Sequence, residues 1–285
     1  MASPELVSSA EPGLGRELQR WAAASGIDCC TPEHPEYATK RLVYNRIHDA
    51  YPVAVVSPRS AAEVAQCLRF ARAQALPLAV RGGGHHVGGF GTCDAGLVID
   101  LGSMRRVAIG NEGVASVGAG ARLGHVDGFL CPRGFVVPTG TVSDTGIAGL
   151  ALGGGIGWLL GLYGLTCDNL VGADVVVGDG ELVRAEAPEH GELLWALRGG
   201  GGGLGIVTEF RFRTHRLPIC VAGSLVVQAA GARAALWRLV QFLEERCPAR
   251  LTVAPVLRQD SDGRLALFVD FCLAGSDERA LDRLI

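Results

Sequence analysis

Residues 80–89 carry the residue types in this chain that are most able to do chemistry, and they read Val-Arg-Gly-Gly-Gly-His-His-Val-Gly-Gly. Gly82, Gly83 and Gly84 present a backbone without Cβ atoms, whose N–H groups can turn inward and bind a phosphate or pyrophosphate closely. His85 follows at once, and a neutral imidazole nitrogen can bond covalently to an electrophilic cofactor. The stretch therefore predicts an anion-binding loop that ends in a nucleophilic side chain.

The same stretch has a plainer interpretation, which is a tight turn followed by two surface histidines. A metal site at His85 and His86 is less favoured. Neighbouring residues on an extended chain point to opposite faces, and the segment offers no nearby third ligand. We therefore expect no metal here.

A second concentration of small residues covers residues 136–157 and contains the hydroxyl groups of Thr141, Ser143 and Thr145. Small residues would let backbone amides and these hydroxyl groups face a flat or anionic ligand. Close packing of a helix on a sheet is the alternative. Both interpretations place an unusually close backbone contact in this region.

The third glycine concentration is the run of residues 199–203, in which Gly200, Gly202 and Gly205 satisfy a G-x-G-x-x-G pattern. A Rossmann fingerprint needs these glycines after a strand and before a helix, whereas here a helix pattern precedes them and a strand pattern follows. No G-x-x-x-x-G-K-[ST] motif occurs either. The pattern therefore excludes both common nucleotide-binding motifs.

The first glycine loop follows a predicted βαβ unit. Residues 51–56 are typical of a buried strand, Ser60 with Glu63 three residues on predicts the start of a helix, and residues 78–80 predict a second strand. The loop then leaves the carboxyl end of that strand, where open α/β sheets usually bind ligands.

Further elements follow on both sides of Pro218. Before it, we predict strands over 96–101, 107–110, 114–117 and 206–213, helices over 122–129 and 191–198, and a hairpin of 171–177 with 181–185. After it, we predict strands over 221–227, 251–256 and 265–271, a helix over 231–246 and a last helix from Ser276. The sequence pattern changes at Pro218, so we place a domain boundary there. The second domain is expected to be incomplete.

Composition places the chain among globular proteins, since 48% of its 285 residues are hydrophobic and 19% are charged. A net charge of -3 without a basic cluster gives no reason to expect nucleic acid as a partner. No signal peptide and no apolar run long enough to span a membrane is recognised, so we expect a cytoplasmic protein. The nine cysteines lack Cys-x-x-Cys spacing and are expected to be reduced thiols.

Three separated motifs together resemble one family. They are residues 80–89, residues 140–157 with the following Tyr-Gly-Leu-Thr-Cys-Asp-Asn-Leu of 163–170, and residues 198–210. This set is similar to the FAD-binding domain of the berberine-bridge-enzyme-like flavoproteins of the vanillyl-alcohol oxidase / p-cresol methylhydroxylase (PCMH) superfamily. The resemblance implies an α+β fold, with a PCMH-type FAD-binding domain of two α/β subdomains over 41–217. A lead segment, 1–40, would precede it, and an incomplete antiparallel-sheet-plus-helix substrate domain, 218–285, would follow.

The resemblance also implies site residues. His85 matches the histidine that is joined to the flavin 8α-methyl carbon, and Arg81 to Gly84 match the segment that wraps the pyrophosphate. Val142 stands where many members have a second, cysteinyl link, so a single histidyl attachment is expected. The cofactor-binding residues implied are Arg81, Gly82, Gly83, Gly84, His85, His86, Gly89, Gly140, Thr141, Ser143, Thr145, Gly146, Gly149, Gly154, Gly155, Gly157 and Ile206.

The implied function is an FAD-dependent oxidase that passes a hydride from a C–H bond of an alcohol, sugar or secondary metabolite to flavin N5, with molecular oxygen as acceptor. The family's catalytic base comes from the second domain, which we expect to be cut short here, so no catalytic residue is predicted. The alternative is a non-catalytic or degenerate flavin-binding fragment, or one half of a split enzyme completed by a partner chain. UDP-sugar reductases of the same superfamily are less favoured, because their flavin is not held by a loop histidine.

Overall fold

The strands form four β-sheets in a computed structural model, which describes residues 13–110 and 112–275. The helices are α1 (Leu14–Ser25), α2 (Tyr37–Lys40), α3 (Ala61–Ala73), α4 (Leu123–Leu130), α5 (Ile147–Leu152), α6 (Leu160–Tyr163), α7 (Gly191–Leu197) and α8 (Ala229–Glu245). The strands are β1 (Asp28–Cys30), β2 (Ala54–Ser57), β3 (Leu78–Arg81), β4 (Leu97–Asp100), β5 (Val107–Ile109), β6 (Val114–Gly118), β7 (Phe135–Val136), β8 (Leu170–Val176), β9 (Leu182–Ala185), β10 (Ile206–Arg213), β11 (His215–Arg216), β12 (Cys220–Gln228), β13 (Leu251–Gln259) and β14 (Leu265–Ala274).

The first sheet has the order β1-β2-β4-β3 and positions the first glycine loop. Strands β2 and β3 are parallel, as the βαβ pattern predicts, but both pair with β4, which lies between them. The apolar side chains of Val56, Leu97 and Ile99 are fully buried in this sheet. Because β3 ends at Arg81, the glycine loop begins directly at the sheet's carboxyl edge.

The predicted lead segment, 1–40, is folded together with the first sheet from α1 onward. Leu18 and Ala22 on α1 are buried, and Trp21 stacks on Phe70 of α3 with ring centroids 4.4 Å apart. Strand β1 then pairs antiparallel with β2. Trp21 and Ala22 follow Leu18 by three and four residues, which is the helical spacing that could have predicted α1.

Helix α3 begins as the sequence predicts, since the Oγ of Ser60 accepts a hydrogen bond from the backbone N–H of Glu63 at 3.2 Å. Ser60 has extended backbone angles, φ -147° and ψ 161°, which are typical of an N-cap. This bond satisfies one of the N–H groups that a helix leaves unpaired at its start.

We expect Ser60→Ala to lower the free energy of unfolding by about 1 kcal/mol, because the Glu63 N–H loses its cap. Urea unfolding followed by circular dichroism measures the difference. Ser103→Ala removes an exposed hydroxyl that makes no side-chain hydrogen bond among the described residues, and it should change the stability by less than about 0.5 kcal/mol. Equal stability of the two variants would contradict the capping role.

The second sheet is antiparallel throughout, with the order β5-β6-β10-β8-β9. Its central strand, β10, buries Phe210 and Phe212 completely. The predicted hairpin is confirmed, since β8 and β9 pair in register from Ala173 with Ala185 to Val176 with Leu182. One hydrophobic core contains residues of α1, α3 and both sheets, so the two sheets form a single packed unit.

Beyond Pro218 the chain forms a third sheet of order β12-β14-β13, and α8 packs on one of its faces through Ala232. A separate two-stranded sheet pairs β11 with β7. The predicted strands and helix after Pro218 are confirmed, while the helix predicted from Ser276 lies outside the described residues. Within the described ranges, no helix has the length and apolar character needed to cross a membrane.

Candidate cofactor site

The first glycine loop meets the second glycine-rich segment with no space for a side chain between them. A Cβ placed on Gly83 would lie 2.6 Å from the Cα of Gly146, and one on Gly82 would lie 3.3 Å from the Cβ of Ala148. Only glycine allows two backbones to approach this closely. The structure therefore brings the two segments together at the start of α5.

The second segment meets both itself and the third glycine run. A Cβ on Gly157 would lie 3.2 Å from the Cα of Gly140, and one on Gly199 would lie 4.0 Å from the Cα of Gly154. The N–H of Gly201 donates to the carbonyl oxygen of Leu152 at 2.8 Å. The second segment thus contacts both the first loop and the third glycine run, although the three are far apart in the sequence.

The first loop leaves a row of backbone donors without protein partners. In the described part of the chain, the N–H groups of Gly83, Gly84, His85 and His86 donate no hydrogen bond to another residue. Gly83, Gly84 and His85 are half-buried, and half-buried N–H groups without partners are unfavourable unless something accepts from them. Gly84 has φ +73°, which turns the backbone at this point. A bound anionic group would satisfy these donors.

The side chain of Arg81 is turned away from this row of donors. It is 6% exposed, and its guanidinium donates to Asp100 Oδ2 at 2.7 Å and to the carbonyl oxygens of Lys40 and Leu42 at 2.7 and 3.2 Å. Arg81 therefore holds the base of the loop through its side chain. Its contact with a pyrophosphate would be limited to the backbone.

His85 sits at the junction of the two glycine-rich segments. Its ring stacks on Tyr44 with centroids 4.5 Å apart, and its Nε2 lies 3.3 Å from Oδ2 of Asp144. Burial first, and then the nearby charge of Arg122, lower the pKa of His85 below its ordinary value of 6.5. The imidazole is therefore neutral at pH 7, which is the state in which a ring nitrogen can act as a nucleophile.

His86 has different surroundings. Its ring stacks on Phe90 with centroids 4.3 Å apart, and its Nδ1 accepts from the N–H of Gly88 at 3.0 Å. Gly89 has φ +74° and is packed against the ring of His48. His86 and Gly89 thus shape the far end of the loop, while His85 alone of the two histidines contacts the second segment.

Residues 40–48 form a strap that holds the loop in place. The N–H of Tyr44 donates to the carbonyl oxygen of Gly84 at 3.0 Å, and the Nδ2 of Asn45 donates to that of Val87 at 2.7 Å. The Nε2 of His48 lies 2.8 Å from the same Val87 oxygen. Sequence reasoning did not predict this strap, because nothing in its local pattern indicates a loop some forty residues away.

The remaining predicted residues divide by exposure. Thr141, Ser143 and Gly149 are exposed, while Thr145, Gly140 and Gly155 are half-buried. Gly146, Gly154, Gly157 and Ile206 are buried, and the glycines among them serve the close backbone contacts described above. The accessible set could contact a cofactor directly, whereas the buried glycines keep the loops together. Among the described residues, no cluster of three or more His, Cys, Asp or Glu is placed to hold a metal ion.

These observations fit a dinucleotide cofactor. The row of N–H donors could bind a pyrophosphate, and the hydroxyl groups of Thr141, Ser143 and Thr145 could hydrogen-bond the polar chain of the cofactor. His85 supplies a neutral nucleophile. Fold and site together define a flavoprotein with a PCMH-type FAD-binding fold. Residues 52–186 match the family described as FAD binding domain, and the chain is similar to FAD-linked oxidoreductases and to a solved berberine-bridge-enzyme-like structure.

The chain is similar to several curated proteins. It is 37% identical over 189 residues to an uncharacterized FAD-linked oxidoreductase of Bacillus subtilis (strain 168), an alignment that covers 64% of this chain and 42% of that protein. It is 39% identical over 199 residues to the glucooligosaccharide oxidase of Sarocladium strictum, covering 69% and 40%. The chain thus spans less than half the length of these relatives.

Solved structures extend the likeness beyond the FAD-binding domain. The chain superimposes on 6-hydroxy-D-nicotine oxidase from Arthrobacter nicotinovorans with a TM-score of 0.83 at 27% identity, covering 90% of this chain and 57% of that one. It superimposes on the berberine-bridge-enzyme-like protein 1 of Physcomitrella patens with a TM-score of 0.82 at 29% identity, covering 94% and 58%. The predicted fold class is therefore confirmed, including the antiparallel sheet beyond Pro218.

Proposed function

We propose that this chain is an FAD-linked oxidoreductase of the oxidase type, with its flavin attached through His85. The observation that carries the proposal is the row of unpaired N–H groups at residues 83–86, which ends beside a neutral imidazole at the junction of two glycine-rich segments. The donors would hold the pyrophosphate, and His85 would bond to the flavin's 8α-carbon. The cofactor-binding residues that the family resemblance implies are proposed as a set, the accessible ones for direct contact and the buried ones as support for the site.

A single covalent link is part of the proposal. A structure of glucooligosaccharide oxidase from Acremonium strictum is described as carrying 6-S-cysteinyl, 8α-N1-histidyl FAD. This chain has Val142 in the second segment, with its side chain 55% exposed, and a valine cannot form a thioether. Only the histidyl bond is then available at these two segments.

The bound FAD would accept a hydride at N5 from a C–H bond of an alcohol, sugar or secondary metabolite, and molecular oxygen would reoxidise it. The chain's own residues would bind and orient the flavin. The backbone of residues 82–86 would hold the charged centre of the cofactor, while Thr141, Ser143 and Thr145 would hydrogen-bond its polar chain. No base for the substrate is assigned.

The covalent link is tested on the purified wild-type chain. We expect a yellow protein whose colour stays in the pellet after acid precipitation, because a C–N bond survives unfolding. Trypsin should release residues 82–105 carrying the mass of FAD less two hydrogens, and fragmentation should place that mass on His85 rather than His86. A peptide of unmodified mass from a yellow protein would contradict the link, and a chain that stays colourless with added FAD would contradict the whole proposal.

A second candidate function is a flavin-binding unit that is inactive alone and is completed by a partner chain. The third sheet favours it, because apolar side chains stay exposed on both of its faces. Leu225 and Leu257, whose strand partners pack under α8, are 50% and 56% exposed, and Val226 and Val256 on the opposite face are 49% and 43% exposed. Hydrogen peroxide release from a panel of alcohols and sugars separates the two functions. Turnover by the chain alone supports the oxidase, whereas a covalent flavin that no substrate reduces supports the inactive unit.

A further inference from the structure

We infer that Asp144 is a positioning residue for flavin attachment, which holds His85 in the tautomer whose Nδ1 is the nucleophile. The inference rests on the proposed covalent link to His85. Oδ2 of Asp144 lies 3.3 Å from Nε2 of His85, and Nδ1 makes no hydrogen bond to any residue in the described ranges. The two ring nitrogens are therefore in different environments.

The chemistry of the pair selects one tautomer. A carboxylate accepts hydrogen bonds but does not donate them, so the nitrogen that faces Asp144 must carry the proton. In a neutral imidazole the other nitrogen then has its lone pair free, which here is Nδ1 of His85. Without the carboxylate, the proton could sit on either nitrogen, and only part of the population would be ready to react.

Asp144 is itself held in place by its neighbours. Its Oδ1 is paired with Nη1 of Arg122, which also donates to the backbone oxygen of Asp144 at 3.2 Å. The N–H of Leu123 donates to the Thr145 carbonyl oxygen at 2.9 Å, and that of Gly124 donates to the Ser143 oxygen at the same distance. The backbone on both sides of Asp144 is thus tied to the start of α4.

The plane of the His85 ring is fixed from the other side. Tyr44 stacks on the imidazole with an interplanar angle of 15°, and the Tyr44 backbone is bonded to Gly84 in the strap. Tyr44 sets the tilt of the ring, and Asp144 sets its rotation about the Cβ–Cγ bond. The charged and titratable groups that contact or perturb the imidazole are Asp144, Arg122 and Tyr44.

The attachment forms one C–N bond, from Nδ1 to the 8α-carbon, and breaks one C–H bond of that methyl group. The methyl proton and the Nε2 proton leave the reacting groups, and the electron pair of the C–H bond reduces the flavin ring. Molecular oxygen then takes up two electrons and two protons and becomes hydrogen peroxide. In this sequence Asp144 also lies where it can accept the Nε2 proton once Nδ1 has been alkylated.

We expect Asp144→Asn to slow covalent incorporation of FAD into the flavin-free chain by on the order of 10-fold or more. An amide can donate to Nε2 as well as accept from it, so it no longer selects the tautomer, and it cannot take up the proton. Incorporation is followed as flavin fluorescence in denaturing gels over time. Asp144→Glu, which keeps the carboxylate, should recover part of the rate, and Asp262→Asn, at an exposed turn, should match wild type.

A second measurement is independent of the flavin. Long-range proton–nitrogen NMR correlations of the flavin-free chain should show His85 with its proton on Nε2, and Asp144→Asn should lose that preference. The amount of FAD bound before attachment and the melting temperature show whether the variant is folded. If Asp144→Asn misfolds, the position of the His85 proton in the wild-type chain still tests the inference. A proton on Nδ1 would overturn it.

The outcomes separate this inference from the function on which it rests. A wild-type chain that binds FAD without a covalent bond would overturn the link to His85 and, with it, the role of Asp144, while the flavin-binding function would stand. A wild-type covalent link on His85, with Asp144→Asn incorporating FAD at the wild-type rate, would overturn the role of Asp144 and leave the proposed function in place. Slow incorporation in Asp144→Asn with recovery in Asp144→Glu supports it.

Discussion

Replacing His85 with alanine is expected to abolish covalent flavin while leaving FAD bound. The row of N–H donors at residues 83–86 belongs to the backbone, so the loop would keep the donors proposed to bind a pyrophosphate when the imidazole is removed. Acid precipitation should then release all of the flavin into the supernatant, whereas the wild-type pellet should stay yellow. Flavin fluorescence in a denaturing gel and the mass of the tryptic peptide over residues 82–105 measure the difference.

His86→Ala is the matched control, because the two histidines are adjacent and lie in the same peptide. His86 stacks on Phe90 and accepts from Gly88, and it makes no described contact with the second segment. We expect this variant to keep its covalent flavin. If His86→Ala loses the link and His85→Ala keeps it, the attachment site is His86, and the roles given to Asp144 and Tyr44 fall with it.

Much of the fold could be predicted because its signals are local. Ser60 with Glu63 predicts the start of α3, and alternating apolar residues predict β10. Both predicted elements are present in the structure. Helix α1 was not predicted, although Trp21 and Ala22 follow Leu18 at helical spacing, because the apolar residues of this segment are few and scattered among charged ones. The place of β4 between β2 and β3 is a matter of strand order, which local periodicity does not contain.

The residues of the candidate site likewise fall into those that the sequence could predict and those that it could not. The glycines and His85 could be singled out, because a run of residues without side chains beside a nucleophile is visible in the sequence itself. Tyr44, Arg122 and Asp144 could not, since their closeness to His85 arises from contacts between distant segments. His85 and Asp144 are 59 residues apart, and they meet because Gly83 packs on Gly146 while residues 143–145 bond to the start of α4.

That contact makes Gly83→Ala the substitution with the broadest expected effect. The added Cβ would lie 2.6 Å from the Cα of Gly146, and neither backbone can yield as a flexible side chain could. We expect strain of about 1–3 kcal/mol, which the loop can relieve by moving away from the second segment. If binding FAD requires the strained loop conformation, this free energy is subtracted from the binding free energy, and FAD affinity falls roughly 5- to 150-fold. Titration of the flavin-free chain with FAD measures it.

Gly128→Ala provides the control, because Gly128 lies on α4 and a Cβ there meets nothing within 4 Å. Alanine is the better helix former by about 1 kcal/mol, so this variant should be slightly more stable and bind FAD as wild type does. The displaced loop in Gly83→Ala should also separate His85 from Asp144, so covalent attachment should slow even at saturating FAD. Wild-type affinity together with a wild-type attachment rate in Gly83→Ala would show that the two segments need not touch.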